Sequence, residues 1–229
     1  MDPMKSQAQS ESELIDVPMT RDDRRSTIRF RKTPKPKKTA PVTLEYASVR
    51  KDIQTGDVFL YEGKGFWTPA VGWISPVVRW FTNSPYTHAG MAVWWDKRLM
   101  VIEAIGRGVI ANPVSLSFDR YKADIDWFTS REKISSEDRD KMEFYSQEQL
   151  GKRFAFWKAF LLLVKMKMGL SLDRSDRFRE ESRFYCSQFV AQVYNKLGFD
   201  LSEGRADRFM SPKDVAESPL LRNKGRIRK

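Results

Sequence analysis

The 229 residues contain one cysteine and one histidine. Cysteine–histidine chemistry therefore has a single possible pair, Cys186 and His88. Cys186 opens an amphipathic segment, FYCSQFVAQVY. A thiol at a helix N-terminus faces free N–H groups and the positive end of the helix dipole, and both favour the reactive thiolate. The ordinary fate of a lone cysteine is that of a small buried hydrophobe, but the helix-start position points to a nucleophile. His88 stands between a turn, Ser84-Pro85-Tyr86-Thr87, and a strand-like stretch. That junction would project the ring from a rigid edge, where it could serve Cys186 as a base. A surface or core histidine is the bland alternative. Glu103 lies within Val101-Ile102-Glu103-Ala104-Ile105. A carboxylate in such a stretch is costly without a partner. If residues 88–105 form a hairpin turning near Lys97, Glu103 returns to the His88 end. It could there accept the second imidazole N–H and fix the tautomer. The competing reading places it on the solvent face of an edge strand.

The elements that must position these residues are legible as patterns. Gly56-Asp57 predicts a turn into a short strand, Val58 to Tyr61. Ser75-Pro76 predicts a helix start, with an end at Asn83-Ser84-Pro85. His88 to Trp95 and Leu99 to Ile105 form the expected hairpin, turning at Asp96-Lys97-Arg98. Val109 to Val114 and Ala123 to Thr129 read as further strands. Ser135 with Asp138 three residues on resembles a capping box for a helix over 137–150, closed by Gly151. A second helical stretch is expected from Arg153 to Met168. In the segment after Cys186, Phe189, Val190, Val193, Tyr194 and Leu197 share one helical face, and Gly198 ends it. Strands first and helices afterwards indicate an α+β fold.

Composition bounds the rest. Hydrophobic residues are 41% of the chain, enough for one sizeable core, and the aromatics concentrate after residue 58. Domain organisation is expected as a disordered basic arm over 1–45, a catalytic domain over 46–220 and a basic tail over 221–229. A single cysteine rules out an intrachain disulfide and a Cys-rich zinc site. The formal net charge of +11 suits an anionic partner, either nucleic acid or a membrane surface, reached through the basic ends. A binding module without catalysis is therefore the alternative function. The first twenty residues lack the apolar core of a secretory signal. In Phe154 to Leu170 the uninterrupted apolar run is only Ala159 to Val164, short of the roughly 20 residues a spanning helix needs. A cytoplasmic protein is expected, and a virion-packaged or delivered enzyme would look the same.

Taken jointly, GDVFLYEG, SPVVRWFTNSPYTHAGMAV, VIEAIGRGV and FYCSQFVAQVYNKLG resemble the circularly permuted NlpC-type papain-like superfamily, in its YiiX/YebB-like branch. The resemblance spans about residues 54 to 200. It implies a permuted papain-like fold, with a small antiparallel sheet packed against helices that include the nucleophile helix. The permuted order explains why His88 precedes Cys186. It further implies Cys186 as nucleophile, His88 as base and Glu103 as the orienting carboxylate. Tyr86 and Tyr185 match motif positions beside them, as candidate substrate-binding residues. The implied activity is that of a cysteine hydrolase or acyltransferase working through a thioester. It would act on peptide amides, including cell-wall peptides, or on lipid acyl bonds, with no metal or organic cofactor. One position departs from the pattern: Gln188 stands where a glutamate is frequent, which would tune the site.

Overall fold

A computed structural model describes residues 41–62, 84–121, 124–154, 183–202, 207 and 210–228. All of them fall in one compact unit, Pro36–Lys229. Most of the expected basic arm, the helix expected from Ser75 and the apolar segment beyond Phe154 lie outside the described residues.

In the described residues the elements in chain order are β1 (Thr43–Glu45), α1 (Tyr46–Val49), β2 (Val58–Glu62), β3 (Tyr86–Trp95), β4 (Arg98–Ile105), β5 (Gly108–Pro113), α2 (Val114–Arg120), β6 (Asp124–Ser130), α3 (Ser136–Glu148), β7 (Arg153–Phe154), β8 (Arg183–Phe184), α4 (Cys186–Lys196), α5 (Pro212–Ala216) and β9 (Leu221–Arg228). Seven strands make one sheet in the order β1-β9-β6-β2-β3-β4-β5, and β7 and β8 pair separately. This is the expected α+β arrangement.

The centre of the sheet follows from alternation. On β3, Ala89, Met91 and Val93 enter a core shared with Phe189, Val190, Val193 and Tyr194 of α4 and Val215 of α5. Ala92, between them, enters a second core with Phe59, Tyr61, Val101 and the α2 residues Val114 and Phe118. A period of two along a strand sends successive side chains to opposite faces. Both faces of β3 are covered, which explains its nearly unbroken apolar run. The β3–β4 register places Met91 opposite Ile102 and Trp95 opposite Arg98. Asp96 in the intervening turn has φ 53, a conformation an aspartate tolerates better than most residues.

Four features differ from expectation. Leu221–Arg228, expected as a basic tail, is β9, a strand between β1 and β6. Its alternation is hidden by charge: Leu221, Gly225 and Ile227 are buried, while Arg222, Asn223 and Lys224 face solvent and Arg226 is partly buried. Thr43–Glu45, expected inside the arm, is β1 and runs parallel to β9. The helix α2 follows directly on β5, starting within the expected strand at Val114. Where Arg153 was expected to begin a helix, Arg153–Phe154 is the short strand β7.

Candidate active site

The N-terminus of α4 carries Cys186 as its first residue. Tyr185 occupies the N-cap without a side-chain cap. The first-turn N–H groups are therefore left to the neighbourhood of the thiol. Burial pushes the Cys186 thiol up, but the His88 charge, a hydrogen bond with His88 and N–H donation from Ala89 and Ser187 together leave it below the ordinary value. The strand β3 thus supplies a side chain and a backbone donor from adjacent residues, His88 and Ala89.

His88 has a side chain only 13% exposed, and its Nε2 lies 2.7 Å from Oε2 of Glu103. Glu103 is fully buried. Burial would lower the imidazole pKa. The Cys186 charge and hydrogen bond, with the Glu103 hydrogen bond and charge, reverse that and raise it to about 10. With Nε2–H donated to Glu103, the remaining nitrogen is the one available to Cys186. The imidazole thus stands between the thiol whose pKa it lowers and the Glu103 carboxylate that helps to raise its own.

The carboxylate has its own supports. Asn112 Nδ2 donates to Glu103 Oε1 at 3.2 Å, and Ser117 Oγ donates to the same oxygen at 3.5 Å. Tyr121, one residue beyond α2, stacks on the imidazole with ring centroids 5.1 Å apart and planes 13° from parallel. Tyr61 lies against both rings, at 5.3 Å from His88 and 4.5 Å from Tyr121. Its hydroxyl meets Ser117 Oγ at 3.1 Å. None of Tyr61, Asn112, Ser117 and Tyr121 stands out in the sequence. Asn112, Ser117 and Tyr121 share one signal, position, since residues 112–121 leave β5 and wrap back under Glu103, whereas Tyr61 comes from β2.

The structure thus brings together Cys186, His88 and Glu103. The two tyrosines beside them are placed differently. Tyr86, at the start of β3, donates its hydroxyl to Asp126 Oδ2 at 2.6 Å and sets its ring edge-on to Phe128. Tyr185 is buried at 4% exposure. Gln188, the third residue of α4, is fully buried.

No protein-family model matches the sequence, and neither does any curated protein. Among solved structures the chain is similar to one titled metalloprotein yiiX, DUF1105, from Escherichia coli O157:H7. The TM-score is 0.55 at 22% identity, over 75% of this chain and 96% of that one. The likeness at that identity is one of fold. The word metalloprotein belongs to yiiX. Among the described residues here, no group of three or more His, Cys, Asp or Glu side chains is placed to hold a metal ion. Nε2 of the single histidine is already committed to Glu103. The described residues therefore do not fit a metal centre. Among them, no helix is long and apolar enough to cross a membrane.

Proposed function

We propose that this protein is a cysteine-dependent hydrolase or acyltransferase of the permuted papain-like kind, with Cys186 as nucleophile, His88 as base and acid, and Glu103 as the orienting carboxylate. The observation that supports it most is the 2.7 Å His88–Glu103 contact in a site where the same imidazole lowers the pKa of a helix-start thiol. A structural cysteine buried among apolar side chains would have its pKa raised instead.

The thiolate sulfur attacks the carbonyl carbon of an amide or ester, forming a C–S bond and an oxyanion. The first-turn N–H groups of α4 are candidate donors to that oxyanion. Collapse breaks the bond to the leaving nitrogen or oxygen, which takes the imidazolium proton. Water, or another nucleophile, then gives a proton to His88 and attacks the thioester. The C–S bond breaks, and thiolate and imidazolium are restored. Glu103 accepts Nε2–H throughout. A peptide amide and a lipid acyl ester are the two substrate classes in view.

The test is alkylation by iodoacetamide at pH 6, followed by mass spectrometry of Cys186. Alkylation faster than that of a free thiol, slowed about tenfold or more by His88→Ala, is expected for a thiolate held by its partner. A Cys186 no faster than a free thiol, and indifferent to His88→Ala, would sink the proposal. Acyl adducts trapped on Cys186 from a peptide panel and a lipid panel then distinguish the substrate classes.

A further inference from the structure

We propose that Tyr121 is the positioning residue of this site, its ring the platform that sets the plane of His88 and its hydroxyl a donor that aims Glu103. The inference rests on the reading of Cys186, His88 and Glu103 given above. It concerns a residue which that reading does not use.

Three observations carry it. The first is the stack. A histidine χ2 torsion is broad and roughly two-fold, and the hydrogen bonds to Glu103 and Cys186 leave the ring free to rock about the line that joins them. The Tyr121 face, 13° from parallel at 5.1 Å, removes that freedom from one side. Tyr61 closes a second side at 46°.

The second is the proton count. The Tyr121 oxygen lies 3.1 Å from His88 Nε2. That nitrogen already donates to Glu103, so it cannot also accept from the phenol. The phenol proton must go elsewhere, and Glu103 is the acceptor within reach, bonded to Tyr121. Burial, first of all, and the Glu103 charge raise the phenol pKa far above its usual value. The hydroxyl is therefore favoured in its protonated, donating form.

The third is how Tyr121 is held. Its N–H donates to Ser117 O at 3.0 Å, closing the last turn of α2. Ser117 itself donates to Glu103. One short helix thus delivers two donors to one carboxylate. Tyr121 is 6% exposed, and its phenol would be costly to bury at that depth without an acceptor.

The test uses the full chain labelled with ¹⁵N-histidine, which gives a single imidazole to observe. Tyr121→Phe keeps the ring and removes the donor. A buried carboxylate that loses a donor pulls harder on the ones it keeps. The His88 Nε2 proton is therefore expected to move downfield in Tyr121→Phe. Tyr194→Phe removes another buried hydroxyl, one that donates to Gly56 O, and is expected to leave the signal in place. In Tyr121→Leu the platform is lost, and alkylation of Cys186 at pH 6 is expected to fall about tenfold to a hundredfold, the cost of a misplaced reacting group. An unmoved Nε2 proton in a folded Tyr121→Phe protein would overturn the proposal. So would equal shifts in Tyr121→Phe and Tyr194→Phe. A wild-type Cys186 with free-thiol reactivity, beside a Nε2 proton that does move in Tyr121→Phe, would instead refute the catalytic reading and leave the positioning role standing.

Discussion

At the scale of single residues, the site is a chain of charges in which each member depends on its neighbour. His88 is the clearest case. Its pKa is raised in the fold, to about 10, so its charged form stabilises the native state. That contribution is complete below the unfolded imidazole value near 6.5. It is lost as pH rises from there through about 10. The pH dependence has the same sign at Asp207, but there the charged form disfavours the fold. Burial, first of all, and the Asp200 charge raise its pKa to about 6, against a hydrogen bond from Asn195. Its Oδ2 is buried with no hydrogen-bond partner. An acid with a raised pKa disfavours the fold once ionised, so Asp207 weakens stability as pH rises through about 6. Asp207→Asn is expected to stabilise the protein by about 1–2 kcal/mol at pH 8 and by almost nothing at pH 4. Thermal melts at the two pH values check this, and equal shifts at both would refute it.

At the scale of elements, the contact between β3 and β4 decides whether His88 meets Glu103. Gly90 makes that contact close. A Cβ there would lie 2.6 Å from Cγ2 of Val101 and 3.5 Å from Cβ of Glu103. Val101 is fully buried, so it has nowhere easy to go. Gly90→Ala is expected to cost about 1–3 kcal/mol, the usual range for overpacking, with urea denaturation as the measurement. It should also loosen the His88–Glu103 contact, visible as slower alkylation at pH 6. This hairpin was legible in the sequence because both strands are apolar runs with a polar Asp96-Lys97-Arg98 turn between them. The α4 face was legible because Phe189, Val190, Val193 and Tyr194 keep helical spacing. The segment over α2 was not, because VSLSFDR buries only Val114, Ser117 and Phe118 and its start merges with the preceding strand. Its supports for Glu103 were hidden for the same reason: Ser117 and Tyr121 acquire meaning only when the chain folds back under β4. β9 escaped detection because its residues are basic on the exposed side and include a glycine, Gly225, at φ 146. A Cβ at Gly225 would meet Val42 O and a Leu44 methyl at 2.7 Å, so the glycine is what lets β1 approach.

At the scale of the whole sheet, Arg226 joins strands that are distant in sequence. Its guanidinium donates to Asp126 Oδ1 at 2.8 Å, to Asp124 Oδ2 at 3.0 Å and to Glu62 Oε1 at 2.5 Å. Asp126 also receives the Tyr86 hydroxyl, so the network reaches the start of the strand that carries His88. Three carboxylates on β2 and β6 share one cation from β9, whose side chain is 18% exposed. Arg226→Ala is expected to cost about 2–4 kcal/mol at pH 7, because the carboxylates are left facing one another. The cost should shrink at pH 4, where protonation relieves the repulsion; a loss that is the same at both pH values would argue against charge as its cause. The same long reach of β9, where Thr43 stands opposite Arg226, has a kinetic consequence. β3, β4 and β5 are consecutive hairpin partners and can pair early, since closing a short loop is cheap. Docking α4 onto β3 and seating β9 between β1 and β6 require distant segments to meet, and such contacts are slow. Refolding is therefore expected to bring His88 and Glu103 together before Cys186 joins them. The thiol would then gain its lowered pKa only as those long-range contacts close, and the unfinished chain would carry its cysteine as an ordinary thiol.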